Sequence, residues 1–97
     1  QTKILHFVEG LHIIKDNMFE VPVLFKMIQE QSKTPWREMY EVFNCGHRLE
    51  LYVNPVVAED LIAISASFGV AAQIIGRVTD SEIKKLTIES SYGTFEY

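Results

Sequence analysis

The stretch of residues 47–78 changes from a strand pattern to a helix pattern and back, which restricts the chain to folds that mix both element types. Residues 47–53 alternate with period two, so their apolar side chains share one face: Leu49, Leu51 and Val53. This pattern predicts a strand whose apolar face points into the protein.

A helix is predicted directly after this strand. Asn54 and Pro55 suit an N-cap and a first helical residue, and Gly69 stands where a left-handed residue commonly ends a helix. Between them, apolar residues recur at helical spacing: Val57, Leu61, Ile64 and Phe68. Residues 70–78 return to a strand pattern, so the strand, the helix and the second strand should form a right-handed crossover.

The rest of the chain supplies the remaining elements of the expected fold. They are a helix over residues 1–8, a strand over residues 11–15, a helix over residues 22–32, a helix capped by Thr34, a turn at residues 79–81 and a strand over residues 86–89. Residues 92–97 fit either an edge strand or an ordered tail. Together these patterns predict a single α+β domain over residues 1–97, with a mixed sheet of about four strands and helices mainly on one face.

Large side chains form a stripe on the helix that follows Thr34: Trp36, Met39, Tyr40 and Phe43. Aromatic side chains supply much of the buried area in a small core. We therefore interpret the stripe as core, in preference to a surface on which a ligand stacks.

Charge and composition argue against several classes of partner. The net charge of -4, without any run of Lys or Arg, disfavours nucleic acid. No apolar run approaches the roughly 18 residues that span a bilayer, and the start of the chain lacks a signal pattern, so we expect a cytoplasmic protein without a membrane partner. The single cysteine, Cys45, allows no internal disulfide. The common signatures of nucleotide-binding loops, hydrolases and zinc proteases are also absent.

Two small groups of polar residues could suggest chemistry. Cys45 and His47 could act as nucleophile and base, but this spacing shows neither contact nor a lowered thiol pKa, and a structural cysteine is the simpler interpretation. A second group does not fall on one helical face, and no metal site is predicted from it: His6, Glu9 and His12.

Residues 43–48 join the aromatic helix to the predicted strand through Asn44 and Gly46. Both residue types tolerate left-handed backbone geometry and the close approach of other groups. The segment is equally consistent with a tight turn and with a ligand-binding loop at the end of a sheet.

Motifs in this region resemble those of a known enzyme family. Met39-Tyr40 followed by Phe43-Asn44-Cys45-Gly46 is similar to the M-[YF]-x-x-F-N-[MC]-G segment of aminoimidazole ribonucleotide synthetase, also called phosphoribosylformylglycinamidine cyclo-ligase. Residues 72–78 resemble the late I-G-x-[VI] strand of that family. The resemblance extends over essentially the whole chain.

The resemblance implies an ATP-dependent ligase of purine biosynthesis that converts formylglycinamidine ribonucleotide to aminoimidazole ribonucleotide, with ATP and Mg as cofactors of the intact enzyme. It implies that this chain is a fragment of the carboxy-terminal domain and that its partners are the amino-terminal half, a small-molecule substrate and a second copy in a homodimer. Most catalytic groups would lie in the amino-terminal half, so the fragment alone should be inactive and bind no cofactor. The residues expected at the cleft are Gln1, Thr2, Asn44, Gly46 and His47.

The chain departs from the family pattern at Arg48, where a second glycine is usual. Arg48 could pair with Glu50 on the same strand face, or it could reach a phosphate in the intact enzyme. Two other functions remain open on the residues alone, namely a small-ligand-binding or regulatory module and a dimerisation domain.

Overall fold

The computed structural model describes all residues, 1–97, and contains one sheet of four strands in the order β2-β1-β3-β4. The strands are β1 (Leu11–Lys15), β2 (Gly76–Asp80), β3 (Lys85–Ser90) and β4 (Gly93–Glu96). β1 is antiparallel to β2 and parallel to β3, while β3 is antiparallel to β4. The sheet is therefore mixed, and the predicted α+β class is confirmed. The end of the chain forms an edge strand rather than a tail.

Three α-helices and a short 3-10 helix complete the fold: Thr2–His6 (3-10), α1 (Val23–Ser32), α2 (Trp36–Val42) and α3 (Pro55–Ser67). The start of α3 agrees with the prediction, because the side chain of Asn54 accepts a hydrogen bond from the Val56 amide and Pro55 is the first helical residue. Gly69 follows the helix with a left-handed φ of 72°. None of the helices combines the length and the apolar character needed to cross a bilayer.

The core lies between the two central strands and α2. Ile13 of β1 and Leu86 and Ile88 of β3 are almost fully buried, and Tyr40 of α2 packs into the same cluster. The aromatic stripe was predicted to belong to the core. This is confirmed for Tyr40 and also for Trp36, whose ring packs against the cluster. Two further core residues come from connecting segments, and they are Val21 and Cys45.

The structure contradicts the strand that was predicted over residues 47–53. This segment is extended but pairs with no strand, and its apolar side chains point outward: Leu49 is 79% exposed, Leu51 61% and Val53 44%. The inward position is taken instead by Glu50, whose carboxylate reaches the buried ammonium of Lys15. A buried charge needs a partner more than an apolar side chain needs cover, so Glu50 turns inward, while Arg48 and Tyr52 of the same predicted face are exposed. Without this strand, the predicted right-handed crossover over residues 47–78 does not form.

Other predicted boundaries also shift. The strand expected over residues 70–78 begins at Gly76 and continues to Asp80, because β1 ends at Lys15, the register partner of Gly76. Beyond that point the regular ladder gives way to irregular bonds, in which the Ile75 carbonyl accepts from the amides of both Asp16 and Asn17. The turn expected at residues 79–81 therefore moves to residues 81–83. Thr34 caps no helix: α2 follows Pro35 without a side-chain cap, and the Thr34 hydroxyl bonds to that of Ser32. The opening helix is shorter than residues 1–8 and has 3-10 geometry.

Helix α3 is apolar yet buries none of its residues. Val56 is 82% exposed, Ile64 56% and Phe68, which follows the helix, 80%. An apolar helix of this kind is usually found inside a protein, and a contiguous exposed apolar surface usually marks an interaction site.

Gly76 provides a test of the pairing between β1 and β2. A methyl group at this position would lie 1.9 Å from the Ile14 carbonyl oxygen, so Gly76→Ala forces the backbones of the two strands apart. We expect it to lower the free energy of unfolding by about 3 kcal/mol or more, as overpacking against backbone does. Urea denaturation of the chain measures this loss.

Gly69→Ala is the matched control, because no atom lies within 4 Å of the added methyl and only the positive φ is strained. It should cost about 1 kcal/mol. Equal losses for the two variants would contradict the close strand approach at Gly76.

Candidate functional site

The segment after α2 makes a sharp turn that places Asn44 at the surface. Cys45 and Gly46 both have positive φ, at 51° and 96°. The Asn44 side chain accepts a hydrogen bond from the Gly46 amide at 2.9 Å, and its backbone carbonyl accepts one from the His47 amide at 3.1 Å. Gly46 also lies against Pro22, whose ring would be 2.7 Å from an added Cβ. Left-handed geometry and this close contact together require glycine here.

An open groove of about 330 Å³ lies beside the turn. Three of the five residues expected at a cleft line it together: Gln1, Asn44 and His47. The Gln1 side-chain amide donates a 2.7 Å hydrogen bond to the Asn44 carbonyl, which closes one end of the groove. Thr2 instead lines a neighbouring groove with Arg37 and Tyr97, and Gly46 supports the turn without lining the groove.

A buried ion pair adjoins the groove, and one of its members, Glu50, lines it. The Lys15 side chain is only 2% exposed, and its ammonium lies 2.8 Å and 3.1 Å from the two carboxylate oxygens of Glu50. The same ammonium donates a 2.6 Å hydrogen bond to the side-chain oxygen of Gln1. On its other side, Glu50 accepts a 3.0 Å hydrogen bond from the Tyr52 hydroxyl. The pair of Lys15 and Glu50 thus connects β1 to three residues that line the groove, which are Gln1, Tyr52 and His47.

For both Lys15 and Glu50, burial and contact with the partner shift the pKa in opposite directions. Burial alone would raise the pKa of Glu50, but hydrogen bonds from His47 and Lys15 and the charge of Lys15 outweigh burial and bring it to about 2. Burial lowers the pKa of Lys15, and its contact with Glu50 opposes that shift. Burial and the adjacent Glu50 carboxylate raise the pKa of Tyr52, so its hydroxyl stays protonated and donates. At neutral pH the geometry supports an ionised pair with satisfied oxygens.

The expected ion pair between Arg48 and Glu50 does not form. Glu50 is occupied by Lys15 and His47, and the exposed Arg48 lines the groove without an ion-pair partner. Residues 48 and 50 were expected to share one face of a strand, but Arg48 stays at the surface while Glu50 turns inward to Lys15.

His47 is held by the same carboxylate. Its Nδ1 lies 3.3 Å from a Glu50 oxygen, and its Nε2 is buried without a hydrogen-bond partner. The Phe19 ring contacts the imidazole edge to face at a centroid distance of 5.4 Å. Since a carboxylate faces Nδ1, we infer that Nδ1 carries the proton of the neutral ring and that Nε2 is an acceptor.

The structure favours a structural role for Cys45 over a nucleophilic one. Its side chain is 1% exposed and its sulfur lies 3.8 Å from the Met39 carbonyl oxygen. Burial raises the pKa of the thiol, which disfavours the reactive thiolate. His12, one of the three residues considered for a metal site, instead makes a 2.7 Å hydrogen bond to the Thr87 hydroxyl.

Sequence reasoning missed Lys15 and Glu50 as members of the site. One signal was present: Lys15 shares the inward face of β1 with Ile13, and a lysine at an inward strand position needs a carboxylate. The sequence did not indicate which of its acidic residues would supply that carboxylate.

Comparison with known proteins identifies relatives of this chain. Residues 9–89 match the family described as AIR synthase related protein, C-terminal domain. The phosphoribosylformylglycinamidine cyclo-ligase of Desulfotalea psychrophila is 36% identical over 73 residues, which is 72% of this chain and 20% of that protein. The enzyme of the same name from Methanococcus vannielii is 34% identical over 82 residues, or 79% of this chain and 24% of that protein. The enzyme of that name from Pseudothermotoga lettingae is 37% identical over 75 residues, 76% of this chain and 22% of that protein. The chain thus spans between a fifth and a quarter of the length of these relatives.

The lowered pKa of Glu50 predicts a loss of stability in acid. Its folded value of about 2 lies below its reference value of 4.5, so the stabilisation is complete above about pH 4.5 and is lost as the pH falls toward 2. The difference corresponds to about 3 kcal/mol at most. Urea denaturation of the wild type and of Glu50→Gln between about pH 7 and pH 3 tests this, and the variant should lose less stability on acidification.

Glu20→Gln is the control for acid titration in general. Glu20 pairs with Lys26 at 3.3 Å, but its side chain is 87% exposed, so its removal should leave the pH dependence as in the wild type. If Glu50→Gln and the wild type lost stability in parallel, the carboxylate would not be a stabilising member of the network.

Proposed function

Because the chain belongs to the family of AIR synthase related proteins and matches its C-terminal domain, we propose that it forms part of a phosphoribosylformylglycinamidine cyclo-ligase of purine biosynthesis. The observation that carries this proposal is the name shared by its relatives, which are 34–37% identical over most of the chain. The proposed reaction closes the imidazole ring of aminoimidazole ribonucleotide from formylglycinamidine ribonucleotide.

In the proposed reaction, the γ-phosphoryl group of ATP is transferred to the formyl amide oxygen with release of ADP, which turns that oxygen into a leaving group. The amidine nitrogen then attacks the activated carbon, loses a proton and closes the ring as phosphate departs. The protein's contribution to such a step is orientation of the reacting groups and fixed hydrogen-bond donors and acceptors. The groove of this chain offers groups of that kind. The Asn44 side chain and the Gln1 amide lie at its end, and the exposed Arg48 lies on its wall.

The residues of this chain do not fit a magnesium site. No three His, Cys, Asp or Glu side chains converge in residues 1–97, and the carboxylate nearest the groove, Glu50, is already paired with Lys15. We therefore derive no step through magnesium here, and we assign the metal and the ATP phosphates to the amino-terminal half of the complete enzyme. On this proposal the fragment alone is inactive.

We propose that the groove wall faces the amino-terminal half and contacts the small-molecule substrate. Gln1, Asn44 and His47 act at the groove, Gly46 maintains the turn, and Thr2 lies in the adjoining groove. We also propose that the complete enzyme is a homodimer in the cytoplasm, and the single free cysteine agrees with a reducing compartment.

One observation favours assembly as a second candidate function. The apolar residues of α3 are exposed, as a surface that meets another protein segment would be. A domain that only mediates assembly would need no groove network, and it would leave catalysis unchanged when Asn44 is altered.

Asn44→Ala in the complete protein tests the role of the groove. We expect kcat/KM for ring closure to fall at least about tenfold, because the side chain that holds the turn at the groove is lost. The loss of one exposed hydrogen bond should change the free energy of unfolding by only about 1 kcal/mol. Steady-state kinetics and thermal unfolding provide the two readings.

Asn17→Ala is the matched control. Asn17 is also an exposed asparagine whose side chain bonds to the backbone, in this case by donating to the Ile74 carbonyl at 2.8 Å, but it lies outside the groove. Wild-type kinetics in both variants would remove the groove from the proposed active site.

The fragment itself should bind ATP with Mg only weakly or not at all. Its groove lacks a metal site, and only Lys3 and Arg48 are exposed cations there. Isothermal titration calorimetry of the 97-residue chain checks this. Micromolar binding would show that the nucleotide site lies within the chain, contrary to the proposal.

A further inference from the structure

We propose that Lys15 and Glu50 are positioning residues of the groove, which orient Gln1 and His47 for the substrate. The inference rests on the proposed function, since it assigns new residues to the same site. Neither residue belongs to the motif that led to the groove, and both act through other side chains.

The stability of the fold does not by itself account for this pair. A buried ammonium loses several kcal/mol of hydration, and replacement of a buried ion pair by apolar residues is often neutral or stabilising. Position 15 shares its strand face with Ile13, where an apolar side chain would fit the core. The pair therefore calls for an explanation beyond packing, and its hydrogen bonds point to one.

Each remaining bond of the pair goes to a residue that lines the groove. Lys15 donates to the side-chain oxygen of Gln1 at 2.6 Å, which directs the amide nitrogen of Gln1 toward the Asn44 carbonyl at 2.7 Å. The orientation of the Gln1 amide is thus fixed at both ends. Because Lys15 lies on β1, between β2 and β3, these contacts attach the start of the chain to the centre of the sheet.

Glu50 fixes the second groove residue. It faces Nδ1 of His47 at 3.3 Å and accepts from the Tyr52 hydroxyl at 3.0 Å. A carboxylate opposite Nδ1 selects one tautomer of the imidazole and holds the ring plane, as the partners of functional histidines commonly do. The charge on Glu50 therefore decides which nitrogen of His47 is the acceptor.

Kinetics of four variants of the complete protein separate positioning from a structural role: Lys15→Met, Glu50→Gln, the double variant, and Arg77→Gln as control. Each single variant leaves a buried partner unpaired, so it should lose both thermal stability and kcat/KM. The double variant removes both charges and should regain thermal stability. Its kcat/KM should remain at least about tenfold below wild type, because Gln1 and His47 have lost their partners.

The control removes the exposed ion pair between Arg77 and Asp16, which is the residue after Lys15, and neither member of this pair lines the groove. It should keep wild-type kinetics. Recovery of kcat/KM to within about twofold of wild type in the double variant would overturn the proposal and leave the pair a structural element.

A spectroscopic reading is independent of cyclo-ligase activity. In the complete protein labelled with ¹⁵N-histidine, the His47 signals, assigned by their loss in His47→Gln, should show the Nδ1–H tautomer, and Glu50→Gln should shift them toward a mixture. Unchanged signals in Glu50→Gln would overturn the positioning role. A protein with the expected tautomer change but no ring-closing activity would instead refute the proposed function. Glu50→Asp, which keeps the carboxylate, replaces Glu50→Gln if the latter does not fold, and it should retain the tautomer.

Discussion

The buried ammonium of Lys15 is the constraint on which the arrangement of this chain depends. An ammonium that is 2% exposed must be neutralised by a carboxylate within hydrogen-bond distance, and Glu50 supplies it from a segment 35 residues away. Within residues 47–53 only His47 and Glu50 turn inward, while the apolar side chains of the predicted strand are exposed: Leu49, Leu51 and Val53. One electrostatic requirement thus overrides the hydrophobic pattern of a whole segment.

Local patterns in the sequence predicted those parts of the fold that local interactions determine. The start of α3 at Asn54 and Pro55, the positive φ at Gly69 and the strands β1 and β3 all depend on neighbours in the chain, and each was recovered. Residues 47–53 were predicted wrongly because period two reports that alternate residues share a face, but not which face is buried. That choice depends on Lys15, which is distant in sequence. The start of β2 was misplaced for a similar reason, because it is set by where β1 ends.

The site was only partly accessible to the same reasoning. Motif resemblance led to Asn44, Gly46 and His47, and the structure brings Gln1 beside two of them through a single hydrogen bond to Asn44. Lys15 and Glu50 belong to no recognised motif. A single Lys and a single Glu that lie far apart in the sequence do not indicate a site until the fold brings them together. The resemblance also assigned Thr2 to this cleft together with Gln1, but successive residues of a 3-10 helix point in different directions, and Thr2 lines the groove of Arg37 and Tyr97.

Two features of the chain are unusual, namely the buried ion pair of Lys15 with Glu50 and the apolar helix α3, whose residues are not buried. Glu50 turns inward from its segment, Leu49 and Leu51 lie at the surface, and α3, which follows directly, buries none of its residues. Residues 48–53 make no backbone hydrogen bonds to a strand. A side-chain contact attaches them to the sheet, namely the ion pair of Glu50 with Lys15, and the Tyr52 hydroxyl supports the Glu50 carboxylate from within the segment. This part of the groove is therefore held by side-chain contacts and not by backbone pairing. The loss of a single polar contact of Glu50 can for that reason change the geometry of the groove.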